Sequence, residues 1–90
     1  MSTTPSAEVK GGSVEARIEG LVAEVFHRNR DELSEKTSFV KDLHAKSANI
    51  IELIALLEDE FGVEMPFAEV MRNDTVGAAS QYIEGKLRSK

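Results

Sequence analysis

The 90-residue sequence has no cysteine. Disulfides, thiolate metal sites and a cysteine nucleophile are excluded together, so any thiol chemistry must come from an attached group. The lack of disulfides fits a cytoplasmic setting. No stretch approaches the ~20 apolar residues that a membrane-spanning helix needs, and residues 1–13 lack the apolar core of a secretory signal. Strand-like alternation, internal repeats and a D-x-[DN]-x-[DN]-G calcium loop are also missing. Bases are scarce where acids gather: Asp42, Glu52, Glu58, Asp59, Glu60 and Glu64 share their segment with Lys46 alone. Of sixteen acids and eleven bases in the chain, ten of each lie outside this segment, so the whole formal net charge of −5 resides in it. Nucleic-acid binding needs a basic face that displaces counterions, and that class is excluded. The charge suits partners with a basic patch instead. The expectation is a soluble cytoplasmic monomer without membrane insertion.

What is present points to one small helical domain. A chain this short buries roughly 60% of its unfolded surface, enough for a thin bundle core and too little for a deep catalytic cleft. Residues 1–13, with Pro5, Gly11 and Gly12 among Ser and Thr, are expected to be a disordered leader to a domain over 14–88. Val14, Ile18, Leu21, Val22, Val25 and Phe26 recur at helical spacing, predicting a first helix capped by Ser13 and ending near 27–29. Residues 30–46 form a long polar connection in which Leu33, Phe39, Val40 and Leu43 are expected to pin the loop to the bundle. A second helix over 47–61 has a wide apolar face of Ile50, Ile51, Leu53, Ile54, Leu56, Leu57 and Phe61, with Gly62 as its stop. Pro66 suits the first turn of a short third helix over 66–72. Thr75 can cap a fourth helix that buries Val76, Ala79, Ile83 and Leu87.

The run Asp42-Leu43-His44-Ala45-Lys46-Ser47-Ala48-Asn49-Ile50-Ile51-Glu52-Leu53, continuing through Glu58-Asp59-Glu60-Phe61-Gly62 to Met65-Pro66, resembles acyl carrier proteins. Their pattern reads D-L-G-x-D-S-L-D and then an apolar, acidic helix ending in E-E-x-F-G/D-x-x-I-P. Thr75-Val76-Gly77 and Tyr82-Ile83 continue the likeness. The resemblance implies an all-α, four-helix bundle with a long loop between helices 1 and 2 and a short helix 3. It also implies that a phosphopantetheinyl transferase attaches 4'-phosphopantetheine covalently to Ser47, whose terminal thiol carries acyl groups as thioesters. Members of the family do no chemistry themselves and present cargo to acyl-loading and acyl-processing enzymes. A helix N-terminus favours such an anionic phosphodiester physically.

Several positions depart from the pattern. Lys46 stands for the Asp before the serine, Ala48 for the Leu after it, Asn49 for a common Asp and His44 for a frequent Gly. Lys for Asp shifts the charge beside Ser47 by two units, which turns attraction to a basic partner into repulsion. A specialised carrier with dedicated enzymes is expected over a standard fatty acid carrier, with polyketide or other thioester synthesis as further settings. Lys46, Ala48, Asn49, Glu52, Glu58 and Asp59 are the expected partner-binding residues, and Ile50, Ile54 and Val70 the expected acyl groove.

Each of these has a plainer reading. A serine is a common helix-start residue, Glu58-Asp59-Glu60 can be a solvated face, and the apolar stripe of helix 2 is core before it is groove. In helix 3, Phe67, Val70 and Met71 can close the core or meet a partner. Asp42, His44 and Ser47 on one short loop do not amount to a catalytic triad, whose members converge from separate elements. The rival to a carrier is an unmodified interaction module that binds through the acidic face of helix 2.

Overall fold

A computed structural model describes residues 13–89. The expected leader therefore lies outside the described residues, apart from Ser13. The elements are α1 (Val14–Phe26), a 3-10 turn (Arg30–Glu32), α2 (Ser47–Phe61), α3 (Phe67–Arg72) and α4 (Val76–Ser89). Among the described residues there is no strand, only an isolated antiparallel bridge between Ser38 and Thr75. The expected all-α, four-helix architecture is what the chain adopts. No described helix is long and apolar enough to cross a membrane.

Local chemistry sets the helix ends. Ser13 caps α1, its Oγ accepting from the Ala16 N–H at 3.0 Å. The helix closes at Phe26, just short of the expected end near 27–29, because His27 turns left-handed (φ 56°) and donates its N–H to Ala23 O. Gly62 ends α2 in the same conformation (φ 66°), which glycine adopts without strain. Pro66 is extended and stands outside α3 as its N-cap, so the helix begins at Phe67, one position after the expected start. The Thr75 hydroxyl accepts from the Ala78 N–H at 3.1 Å and caps α4 as expected.

Helix α1 packs against α2 and α4, and α3 against α2. Ile18 and Val22 of α1, Leu53 and Leu57 of α2, Val70 of α3 and Val76 and Ile83 of α4 are all fully buried. Arg17 near the start of α1 pairs with Glu60 near the end of α2 at 2.7 Å, its guanidinium 4.6 Å above the Phe61 ring. The two helices therefore run antiparallel. An exposed ion pair is worth only about 0–1 kcal/mol, so this contact orients α1 more than it stabilises the bundle.

The long connection is held at both ends. Leu33, Phe39 and Leu43 are buried as expected, whereas Val40 is 39% exposed. Phe39 turns inward, and its neighbour Val40 gives the core only its backbone, donating its N–H to Asp74 Oδ1. Asp74 also accepts from the Ser38 hydroxyl at 2.6 Å, and its carbonyl takes the Phe39 N–H. The first turn of α4 adds two further ties, Val76 N–H to Thr37 O and Gly77 N–H to Glu35 O. Glycine at 77 suits this approach, since a Cβ would lie 3.0 Å from Glu35 O and the loop backbone would have to shift to admit it.

Two outcomes follow from this connection. Replacing Asp74 with Ala leaves the Ser38 hydroxyl and the Val40 N–H without their acceptor. Urea unfolding should show a loss of about 1–3 kcal/mol, and an unchanged midpoint would refute the role given to Asp74. His44 has φ 55°, a conformation costly for L-residues. His44→Gly should raise stability by about 0.5–1 kcal/mol, or about 2–8 °C in Tm by calorimetry, after glycine's own entropic penalty.

Candidate functional site at the start of helix α2

The chain reaches Ser47 through a succession of short-range bonds. Asp42 and Leu43 donate their N–H groups to Ser38 O, and Ala45 donates to Phe39 O at 2.9 Å. Lys46 is the N-cap of α2, with extended backbone (φ −103°, ψ 166°). Its N–H donates to Asn49 Oδ1 at 2.9 Å. That is the reciprocal half of a capping box, in which the N3 side chain reaches back to the N-cap. A lysine side chain has no acceptor, so the cap is one-sided. Asn49, a departure from the family pattern in charge, still fits its geometric place.

Ser47 is thus the first residue inside the helix and not its cap. The plain reading of this serine as a capping residue does not hold, because its hydroxyl accepts no backbone N–H. The residue is exposed, and among the described residues no side chain engages the hydroxyl. The first turn of α2 contains no acidic residue, and the initial N–H groups of a helix have no intrahelical acceptor. Asp42 does not turn toward Ser47; its Oδ2 accepts from the Ser38 N–H at 2.8 Å. His44 is exposed, and no hydrogen bond joins Asp42, His44 and Ser47 among the described residues. The arrangement offers a free hydroxyl at an anion-tolerant helix end, with no general base hydrogen-bonded to it among the described residues. An anionic group esterified to Ser47 fits these surroundings.

The other expected site residues divide. Lys46, Ala48, Glu52 and Asp59 are exposed. Glu58 is half-buried, and its Oε2 accepts from the Met65 N–H at 2.9 Å, so one carboxylate oxygen serves the α2–α3 link. Ile50 and Val70 lie in the closed core, while Ile54 is half-buried at its edge. A groove over these three would need α3 to move away from α2. On α3 only Val70 closes the core; Phe67 and Met71 are 40% and 42% exposed.

Other features lie at the opposite end of the bundle. A shallow cavity of about 190 Å³ is lined by Gly62, Val63, Glu64 and Lys86, about 22 Å along α2 from Ser47 at 1.5 Å per residue. The Glu15 carboxyl near the start of α1 is held above the usual carboxylate range by burial first, then by Glu35, Glu19 and Glu84. No group of three or more His, Cys, Asp or Glu among the described residues could hold a metal ion.

Sequence reading missed three contributors: Asn49 as a capping side chain, the Ser38–Asp74 hub, and Arg17. The first had a signal, the N-cap to N3 spacing of residues 46 and 49. The other two join residues 36 and 43 positions apart, which no local pattern exposes. Replacing Asn49 with Ala should cost about 0.5–2 kcal/mol and speed amide exchange in the first turn of α2 while leaving α4 protected. Equal exchange in parent and variant would refute the capping role.

Comparison with known proteins agrees with this geometry. Residues 16–83 match the family described as "Phosphopantetheine attachment site". Over 68 residues, covering 76% of this chain and 85% of its relative, the sequence is 43% identical to an acyl carrier protein of Lactobacillus acidophilus. Proteins of this kind are carriers rather than catalysts. The chain belongs to the acyl carrier protein family and is a carrier that bears covalent 4'-phosphopantetheine.

Proposed function

We propose that Ser47 is the attachment residue and that the chain carries acyl or related intermediates for partner enzymes of fatty acid, polyketide or other specialised thioester synthesis in the cytoplasm. The observation that carries this reading is the exposed, unengaged Ser47 hydroxyl at the first position of α2. When bound, the phosphopantetheine supplies a terminal thiol on which acyl groups travel as thioesters. The chain contributes the accepting hydroxyl and the helix end that tolerates the anion. No described base stands at that hydroxyl, so the transferase must supply one, and no turnover is assigned to the chain alone.

Glu52 and Asp59 on the exposed side of α2 would meet the basic patches of loading and processing enzymes. Glu58 has one oxygen left for that purpose. Lys46 and Ala48 flank the serine with a positive and a small side chain, which favours a transferase and partners suited to them. Ile50, Ile54 and Val70 form the part of the core that would open toward cargo. Sheltering a chain is worth about 0.8 kcal/mol per methylene, which offsets some of the packing lost on opening.

Intact mass after co-expression with several phosphopantetheinyl transferases tests the assignment. The parent should gain one arm, and Ser47→Ala should gain none. Modification of Ser47→Ala would move the attachment point elsewhere. A parent chain that no transferase modifies would favour the unmodified interaction module acting through the acidic face of α2.

A further inference from the structure

We infer that Lys46 is a phosphate-neutralising residue: its ammonium pairs with the phosphodiester on Ser47, and attachment of the arm completes an N-terminal cap that α2 lacks in the unmodified chain. This rests on Ser47 being the attachment residue. Four observations lead to it. Lys46 is exposed, and among the described residues its side chain has no hydrogen bond or ion pair. It occupies the N-cap, where the partial positive charge of the helix disfavours a cation. Between Leu43 and Ile51 it is the one residue with a full charge. Asp42, the nearest carboxylate in sequence, is turned to the Ser38 N–H.

The unmodified helix start therefore combines a misplaced cation, a one-sided cap and no acid in its first turn. A phosphodiester on the next residue answers all three. It supplies an anion for the N–H groups of the first turn and a counter-charge for Lys46. Consecutive Cα atoms are about 3.8 Å apart, and the flexible lysine stem can bring its ammonium onto a group attached to Ser47. An Asp at position 46 would instead cap the helix itself and repel the phosphate.

Calorimetry on the full-length unmodified and phosphopantetheinylated protein, each verified by mass, tests the inference. Modification should raise the Tm of the parent by about 2–8 °C at low ionic strength, and 0.5 M salt should shrink the gain. In Lys46→Asp the unmodified form should be more stable than the unmodified parent, and modification should add nothing or lower the Tm. Lys46→Gln should fall between. A transferase-free pair reads the same coupling: Ser47→Asp should raise the Tm in the parent background and fail to do so with Lys46→Asp. Equal Tm for modified and unmodified parent, or an equal gain from Ser47→Asp in both backgrounds, would overturn the role of Lys46. A chain that never gains mass removes this inference together with the attachment at Ser47; one that gains mass without gaining stability removes this inference alone.

Discussion

Phe39 is wholly buried, its N–H rests on Asp74 O and its carbonyl receives the Ala45 N–H. Through that residue the connection between α1 and α2 is tied to the start of α4 at one end and to the approach to Ser47 at the other. A long polar loop contributes little burial of its own, and ordering its backbone costs roughly 1–2 kcal/mol per residue. The cost is met by concentrating contacts: Leu33, Phe39 and Leu43 in the core, Ser38 on Asp74, and the backbone of 35, 37 and 39 against 74, 76 and 77. Thr75, Val76 and Gly77 then read as one device. The first caps α4, the second fills the core, and the third leaves room for the loop backbone to touch the helix. Where Ser47 stands depends on this junction together with the buried face of α2.

Much of the fold was legible because three helices have long apolar repeats and recognisable ends. Ser13, Gly62 and Thr75 act at the ends where chemistry predicts them. Legibility failed where tertiary contact outweighed local pattern. Val40 looked like a pin, yet alternation around Phe39 turns it outward. Residues 30–32 form a 3-10 turn that no apolar period announces, and Arg30 there reaches back to Ala16 O. The motif alone points to Ser47 as the proposed attachment residue, while the local mechanics around it are not legible in the sequence. Lys46 as N-cap contradicts every preference for that position, and it is tolerated because Asn49 takes the exposed N–H.

The departures from the family pattern separate geometry from charge. His44 holds a left-handed turn where glycine is frequent, keeping the shape at some conformational cost. Asn49 keeps the capping contact an Asp could make and discards its charge. Lys46 keeps the extended N-cap conformation and reverses the sign. The extended N-cap and the left-handed turn still lead the backbone into α2, and the two substitutions that replace an Asp make its electrostatics more positive. Presenting a hydroxyl needs the backbone path, whereas recruiting a partner depends on the field around it. A chain can therefore hold its carrier architecture fixed and change the enzymes it answers to at a few residues beside one serine. The segment from Asp42 to Glu64 does this unevenly. Its acids lie mostly beyond Glu52 and its single base beside Ser47, so the helix is positive at one end and negative at the other. On the proposed reading, in which partners dock along α2, that asymmetry would select their orientation as well as their affinity.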